Sequence, residues 1–334
     1  MSEEKLCLNC MWWLPNRATL NRGNAKICLR MEMENREFTD VHDSFSCKQH
    51  VSATDTEVNV PNHCENGMSF MRNPNPVDGP TEILIVTYAK DLPWLDYTLK
   101  GIRRFCTGFQ GVTVAHPSHE NHIFAPLAQK FGVRLHSYDE VAGKGMLQHM
   151  VKMAEADIFL PPPTKYVLHM DADCIMRMPT TPEDYFLNDK PYYLIRTWSS
   201  LGYHDPRHPI SQAVSDCAQW KPATDAQLGW DTEWYTMCMN TAVMPREFYP
   251  AYRAHLENVH RKPFEAMMLE GENGFPQTRM DWTAMGAFAH KHMHDKFTWI
   301  DVEAGAYPED RKKAYWSHGG LTSEIRMELD HMIR

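Results

Sequence analysis

Between residues 81 and 171, short apolar runs alternate with longer stretches whose apolar residues recur at helical spacing. The short runs are rich in β-branched residues and suit buried strands: EILIVTYA, GVTVAHP, VRLHSY and KYVLHMD. The stretches between them predict helices over residues 92–106, 121–132 and 145–160. Strands that alternate with helices form a mostly parallel sheet with right-handed crossovers. The sequence therefore predicts an α/β fold with a mixed, mostly parallel sheet flanked by helices.

Two aspartates follow the fourth predicted strand, in the segment KYVLHMDADC. Open parallel sheets bind ligands at the carboxyl ends of their strands. Residues two apart on an extended chain point to the same side, so Asp171 and Asp173 can face one cation. Their oxygens suit Mn²⁺ or Mg²⁺, which would in turn hold the phosphates of a nucleotide. Acidic pairs are also common in solvated turns, but the position after an apolar strand favours a metal site.

From Ile83 onward the chain resembles the nucleotide-sugar glycosyltransferases of GT-A fold, a Rossmann-type class with bacterial and phage members. The resemblance covers roughly residues 81 to 325 and is carried by the segments VTYAKD, MDADC and YWSHGG. It implies a nucleotide-sugar donor, with a UDP-sugar preferred, and Mn²⁺ or Mg²⁺ as cofactor. It assigns nucleotide binding to Thr87, Tyr88, Asp91 and Asp171, and metal binding to Asp171, Asp173 and His318.

Two further segments support this site. The helix GKGMLQHMVKM resembles one whose polar face looks toward the donor, and Lys144, Gln148 and Lys152 can share that face. Two glycines follow His318 and let the backbone approach a ligand closely. Thr322 is predicted to cap the helix SEIRMELDHM, whose N-terminus favours an anion such as diphosphate. The alternative for His318 is an ordinary loop histidine.

Sugar transfer also requires a group that accepts the proton of the acceptor hydroxyl. Asp281 is the candidate base because it resembles an acidic residue before a helix in related sequences. Capping of the predicted helix DWTAMGAFAHKHM is its alternative role, and Asp231 and Glu233 are other candidates. Four tryptophans could stack on a sugar or a base, or pack in the core: Trp198, Trp220, Trp230 and Trp234.

The N-terminal region is rich in cysteine, with five of the nine cysteines in the first 64 residues. Cys7, Cys10, Cys28 and Cys47 have the spacing C-x2-C-x17-C-x18-C, which predicts a structural tetrahedral Zn²⁺ site. Free thiols and an iron–sulfur cluster are alternatives, and other residues could replace one ligand: His42, His50, His63 or Cys64. The segment MRNPNPVDGP predicts a linker. The predicted domains are a zinc module over 1–65, a linker over 66–80 and a GT-A-like domain over 81–334.

Charge and composition bear on location and acceptor. No apolar run is long enough to span a membrane and the start MSEEKLCLNC does not resemble a signal peptide, so we expect a cytoplasmic protein. The zinc module carries Arg17, Arg22, Lys26 and Arg30 in a stretch without acidic residues. These charges could hold nucleic-acid phosphates and favour a hydroxymethylated pyrimidine in phage DNA as acceptor, and a solvated face of a small module is the alternative. The net charge of −9 favours a glycan or cell-envelope sugar instead.

Two other classes are open. Nucleotidyltransferases of the same fold use paired aspartates, usually with a Gly-rich basic loop after the first strand, where this chain has YAKDLPWLDY. A non-catalytic nucleic-acid-binding protein led by the zinc module is the second alternative. The net charge of −9 and the acidic metal site count against it.

Overall fold

The computed structural model describes residues 75–201, 212–238, 241–272, 278–304, 308, 311–315 and 317–334, without the side chains of 212–219 and 318. The chain forms two compact units, Met1–Met71 with Ile300–Pro308 and Arg72–Trp299 with Glu309–Arg334. The predicted zinc module and its four cysteines lie outside the described residues, so the predicted domain bounds stay predictions. The first unit is described only at residues 300–304 and 308, where a short helix covers Val302–Ala304.

The regular elements of the described residues are as follows in chain order. The strands are β1 Thr81–Val86, β2 Gly111–Pro117, β3 Arg134–Tyr138, β4 Tyr166–Met170, β5 Cys174–Met176, β6 Phe186–Leu187, β7 Lys190–Thr197, β8 Trp234–Tyr235, β9 Thr241–Pro245, β10 Thr298–Asp301 and β11 Lys312–Ala314. The α-helices are α1 Leu92–Phe105, α2 Asn121–Phe131, α3 Gly145–Ala154, α4 Ala156–Phe159, α5 Gln212–Leu228, α6 Phe248–His260, α7 Phe264–Leu269, α8 Trp282–His292 and α9 Ser323–Ile333. None of the described helices has both the length and the apolar character needed to cross a membrane.

A five-stranded sheet in the order β3-β2-β1-β4-β9 forms the centre of the second unit. The first four of these strands are parallel, with Val86 beside Ala115 and Ile83 beside Leu168. β9 runs antiparallel to β4 and closes one edge. Every residue of β1 and β4 is buried, as expected for strands covered on both faces. The predicted α/β class, a mostly parallel sheet flanked by helices, is confirmed.

The predicted strands and helices between residues 81 and 171 are present, with one difference. The predicted helix over residues 145–160 is interrupted at Glu155 and forms two helices, α3 and α4. Arg253 of α6 explains the break, because its Nη1 donates to the carbonyl of Ala154 at 2.7 Å and its guanidinium pairs with Asp157. A side chain from another helix therefore binds a carbonyl that a continuous helix would use itself.

The C-terminal segment packs beside the start of α1. Trp94 and Tyr97 of α1 form a buried cluster with Ile175 of β5 and Leu329 of α9. The Tyr97 hydroxyl donates to the carboxylate of Asp330 at 2.9 Å. β11 pairs antiparallel with β5, and α9 follows it. The last part of the chain is thereby held next to the carboxyl end of β4.

Candidate active site at the end of the central sheet

Asp171 and Asp173 lie in a tight turn between β4 and β5, residues 171–174, which we call the acidic turn. The amide of Cys174 donates to the carbonyl of Asp171 at 3.1 Å, which reverses the chain. One carboxylate oxygen from each aspartate and Sγ of Cys174 lie within 4.8 Å of one another. The predicted convergence of the two carboxylates is therefore present in the fold, at the end of a buried central strand.

Negative charge accumulates at this turn. Burial raises the pKa of the Asp171 carboxyl well above its ordinary value, and the neighbouring carboxylates of Asp173 and Asp281 raise it further. Lys312 acts in the opposite direction. Burial also raises the pKa of Asp173, although the amide of Ser317 stabilises its ionised form. A bound dication would offset this repulsion, so the donor set and the charge fit Mn²⁺ or Mg²⁺.

The C-terminal segment completes the surroundings of Asp173. Ser317 donates its amide to Asp173 Oδ2 at 2.9 Å, and Tyr315 donates its amide to the Asp173 carbonyl at 3.0 Å. His318 follows Ser317 in a short helix over Ser317–Gly319. Its backbone thus lies one residue from a group that binds Asp173, while its side chain is outside the description. Metal binding by His318 stays a prediction.

The residues after His318 have the expected local structure. Gly320 has a φ of +74°, in the left-handed region that glycine adopts without strain. The Thr322 hydroxyl accepts from the amide of Ile325 at 3.3 Å, so the predicted cap of α9 is confirmed.

The end of β1 lies beside the end of β4, because the two strands are parallel neighbours. Thr87 is fully buried, and no described group forms a hydrogen bond with its hydroxyl. The Tyr88 hydroxyl donates to the carbonyl of Gly145, at the start of α3. Asp91 precedes α1, and its charge raises the pKa of both Asp171 and Asp173. The structure therefore places Thr87 at the end of β1, which adjoins the end of β4, and Asp91 within electrostatic range of both aspartates.

The three polar residues of the α3 region have partners within the protein. Lys144 Nζ donates to a backbone carbonyl of the segment after α7 at 2.8 Å. Gln148 is buried, and its amide bonds to the backbone of residues 139–141 at 2.6 and 2.9 Å. Lys152 Nζ lies 2.7 Å from the carboxylate of Glu155, which follows α3. Their predicted contacts with a donor stay predictions.

Asp281 occupies the position before α8, close enough to the acidic turn for its charge to act on Asp171. Its Oδ1 accepts from the amide of Trp282 at 2.6 Å, so it caps the helix. Burial raises the pKa of the Asp281 carboxyl, and its charge reaches Asp171. The fully buried Gln227 bonds to both the amide and the carbonyl of Met280, at 2.7 and 2.9 Å. One side chain thus caps α8 and acts electrostatically on the acidic turn, and the backbone of the preceding residue, Met280, is held from α5.

The other candidate bases lie on an exposed segment. Asp231 forms an ion pair with the buried Lys221, which also binds Asp225 at 2.6 Å. Glu233 is exposed. Asp281, whose charge acts on Asp171, therefore has more structural support as a base than these two exposed residues.

Two of the four tryptophans are core residues. Trp198 and Trp220 are 1% and 9% exposed, and Trp198 packs edge-on against Tyr235 at 5.1 Å. Trp230 and Trp234 are half-buried. Lys291 lies over one face of the Trp230 ring at 4.0 Å, and the ring packs edge-on against His255 and His292. Packing is therefore the role that the structure supports for Trp198, Trp220 and Trp230.

Sequence reasoning missed three residues at this site. Ser317 binds Asp173 through its amide, Lys312 is buried near Asp171, and Glu120 accepts from the amide of Ala89 at 2.8 Å. Ser317 and Lys312 reach the site through β11, which has only three residues. So short a run has no recognisable periodicity, and an amide donor carries no side-chain signal.

No protein-family model matches the chain, and no curated protein matches its sequence. Solved structures do resemble it. The glycosyltransferase GlyE of Streptococcus pneumoniae TIGR4 has 8% identity and a TM-score of 0.35, over 68% of this chain and 46% of GlyE. The match thus spans less than half the length of GlyE.

Two other solved structures are similar over nearly their whole length. The 4-diphosphocytidyl-2C-methyl-D-erythritol synthase of Anaerococcus prevotii DSM 20548 has 12% identity and a TM-score of 0.38, over 77% of this chain and 98% of its own. The inositol-1-phosphate CTP transferase of T. maritima has 8% identity and a TM-score of 0.42, over 77% and 98%. Similarity at this level concerns the general fold and carries no argument about activity.

Proposed function

We propose that this chain is a metal-dependent glycosyltransferase that moves a sugar from a nucleotide-sugar donor, a UDP-sugar, to an acceptor hydroxyl. The supporting observation is the acidic turn at the end of β4, where oxygens of Asp171 and Asp173 lie within 4.8 Å beside the end of β1. Mn²⁺ or Mg²⁺ bound there would stabilise the negative charge that develops on the diphosphate leaving group. Asp171, Asp173 and His318 are the residues proposed to hold it.

The chain's own groups have separate roles in this proposal. Thr87, Tyr88 and Asp91 bind the nucleotide at the end of β1, where the buried Thr87 hydroxyl has no described partner. Asp281 accepts the proton of the acceptor hydroxyl. The acceptor oxygen forms a bond to the anomeric carbon as the bond from that carbon to the diphosphate oxygen breaks. The nucleoside diphosphate leaves with the bonding electron pair.

One structural observation weighs against nucleotidyl transfer. β1 ends at Val86, and a short helix over Ala89–Asp91 leads directly into α1. Only two residues separate the strand from that short helix, which leaves no room for a long glycine-rich loop around a triphosphate. Both classes use paired aspartates, so the acidic turn alone does not distinguish sugar transfer from nucleotidyl transfer. The identity of the nucleotide that the protein binds does distinguish them.

Metal-dependent nucleotide binding tests the proposal. We expect UDP or a UDP-sugar to raise the unfolding temperature in the presence of Mn²⁺ and not in the presence of a chelator. At a ligand concentration of about 100 times Kd, the stabilisation is about 2.7 kcal/mol. Differential scanning fluorimetry with UDP, GDP and CTP measures it. Stabilisation by CTP alone would favour the nucleotidyltransferase, and no nucleotide effect with any metal would exclude both.

For the acceptor we propose a hydroxymethylated pyrimidine in DNA, with a glycan or cell-envelope sugar as the second candidate. The basic stretch of Arg17, Arg22, Lys26 and Arg30 supports DNA because such charges position a duplex through its phosphates. Mass spectrometry of modified DNA and of glycans, each incubated with nucleotide sugars, distinguishes the two.

We also propose that Cys7, Cys10, Cys28 and Cys47 bind a structural Zn²⁺. We expect elemental analysis to find zinc bound to the purified protein. Chelation should unfold residues 1–65 while the α/β unit keeps its unfolding transition, because structural zinc contributes folding energy locally. Limited proteolysis after chelation detects the loss of folded structure in residues 1–65. The assignment is contradicted if the purified protein contains iron in place of zinc, or if residues 1–65 stay resistant to proteolysis after chelation.

A further inference from the structure

A thiol lies beside the two aspartates of the acidic turn. Sγ of Cys174 and one carboxylate oxygen from each of Asp171 and Asp173 lie within 4.8 Å of one another. Within the described part of the chain, no other three His, Cys, Asp or Glu side chains place ligand atoms this close together. Bonds of about 2.0–2.5 Å hold the ligands of one dication roughly 3–4 Å apart, so small side-chain adjustments would join all three to one ion.

We propose that Cys174 is a sulfur ligand of the metal ion held by Asp171 and Asp173, and that it shifts metal selectivity from Mg²⁺ toward Co²⁺ and Zn²⁺. This inference rests on the metal site of the proposed function. Mg²⁺ prefers oxygen ligands and binds thiolates poorly, whereas Co²⁺ and Zn²⁺ bind sulfur well. A site of two carboxylates and one thiolate therefore ranks dications differently from a site built of oxygen alone.

The backbone fixes Cys174 in this position. Its amide donates to the Asp171 carbonyl at 3.1 Å, so the turn brings residues 171 and 174 together. On its other side Cys174 is the first residue of β5 and pairs with Ala314 of β11. The aspartate between them is held by Ser317. Because the backbone is held across the turn, the thiol stays close to both carboxylates.

A buried cysteine can also simply fill space in a core, and Cys174 is fully buried. The two roles differ in what they predict for metals. Packing contributes equally to the binding of every dication, whereas a sulfur ligand contributes to thiophilic ions and hardly to Mg²⁺. Cys106 supplies the contrast, because it is half-buried at the end of α1 and burial raises the pKa of its thiol to about 12.

The experiment compares full-length wild-type protein with Cys174→Ser and with the matched control Cys106→Ser. Co²⁺ is titrated into each, and the near-ultraviolet absorption band of a thiolate–Co²⁺ bond is recorded. The N-terminal cysteines contribute alike to all three spectra and cancel in the differences. Dissociation constants for Co²⁺ and Mg²⁺ are measured by calorimetry on the same proteins. Cys174→Ala is included so that a fault in folding caused by a buried serine hydroxyl is recognised.

We expect both Cys174 variants to lose part of the Co²⁺ band and to bind Co²⁺ at least about tenfold more weakly, with Mg²⁺ affinity changed less than about threefold. Cys106→Ser should match wild type. Equal spectra, or parallel losses of Co²⁺ and Mg²⁺ affinity in both variants, would overturn the sulfur ligand and leave the proposed function standing. If wild type bound no dication whose affinity depends on Asp171, the proposed metal site would fail, and the sulfur ligand with it.

Discussion

Asp171→Asn is expected to lower the rate of sugar transfer by roughly 10³-fold, because it removes a charged metal ligand from the site that stabilises the leaving diphosphate. The same change should stabilise the metal-free protein. Burial raises the Asp171 pKa above the ordinary value of 3.8, and the carboxylates of Asp173, Asp281 and Asp91 raise it further. An ionised Asp171 therefore costs folding free energy whenever no cation is bound.

The pH dependence has a definite sign. The folded state binds the Asp171 proton more tightly than the unfolded state, so the contribution of Asp171 to the stability of the metal-free protein is lost as pH rises from 3.8 through the raised pKa. Above that pKa, metal-free Asp171→Asn should unfold at a higher temperature than wild type. Saturating Mn²⁺ should reverse the order, because only wild type gains binding energy.

Thermal unfolding with and without Mn²⁺, together with transfer assays, measures both effects. The control is Asp295→Asn, a change at an exposed aspartate in a short helix after α8. It should match wild type in every assay. An active Asp171→Asn enzyme, or an unchanged response to Mn²⁺, would remove Asp171 from the metal site.

Asp281→Asn is expected to slow transfer by roughly 10²–10⁴-fold without weakening the fold, because asparagine keeps the cap of α8 and loses the base. Asn and Asp are nearly equal at this helical position, and the Oδ1 that accepts from the Trp282 amide is retained. Asp281→Ala removes both functions and should also lower the free energy of unfolding by about 1 kcal/mol. The pair of variants therefore separates the two roles of one side chain.

Burial raises the Asp281 pKa above 3.8, so its basic form is populated only above that raised value. With Mn²⁺ saturating, so that Asp171 and Asp173 stay ionised, kcat/KM of the wild-type enzyme should rise with pH through this pKa and then level off, and this rise should be missing in Asp281→Asn. Steady-state kinetics across pH provide the measurement. An Asn variant with wild-type rates beside a destabilised Ala variant would make Asp281 a helix cap and nothing more.

The sequence was most informative where the chain is locally regular. The four parallel strands were predictable because each is a short apolar run bounded by amphipathic helices, and β1 and β4 are buried throughout. The convergence of Asp171 and Asp173 could be predicted because both aspartates come directly after such a strand. A cap at Thr322 could be predicted because the hydroxyl acts on its own helix, at short range.

The other features could not be predicted, because they depend on contacts between residues that are far apart in the sequence. The break between α3 and α4 depends on Arg253, which lies in α6, a helix that follows β9 in the chain. The position of Met280 depends on the amide of Gln227, 53 residues earlier. The ion pair that occupies Asp231 involves a lysine on α5, where periodicity gives no hint of partners. In each case the deciding interaction joins residues whose local sequence patterns are independent of each other.

The bond from the Ser317 amide to Asp173 also has a consequence in time. The two residues are 144 positions apart, so a ribosome that has finished β4 and β5 has made both aspartates but not the segment that holds them. The parallel strands β1 to β4 are all translated before β11 can pair with β5. The nascent polypeptide therefore acquires its complete acidic turn only after residue 317 has been translated, when the parallel strands that support the turn have already been synthesised.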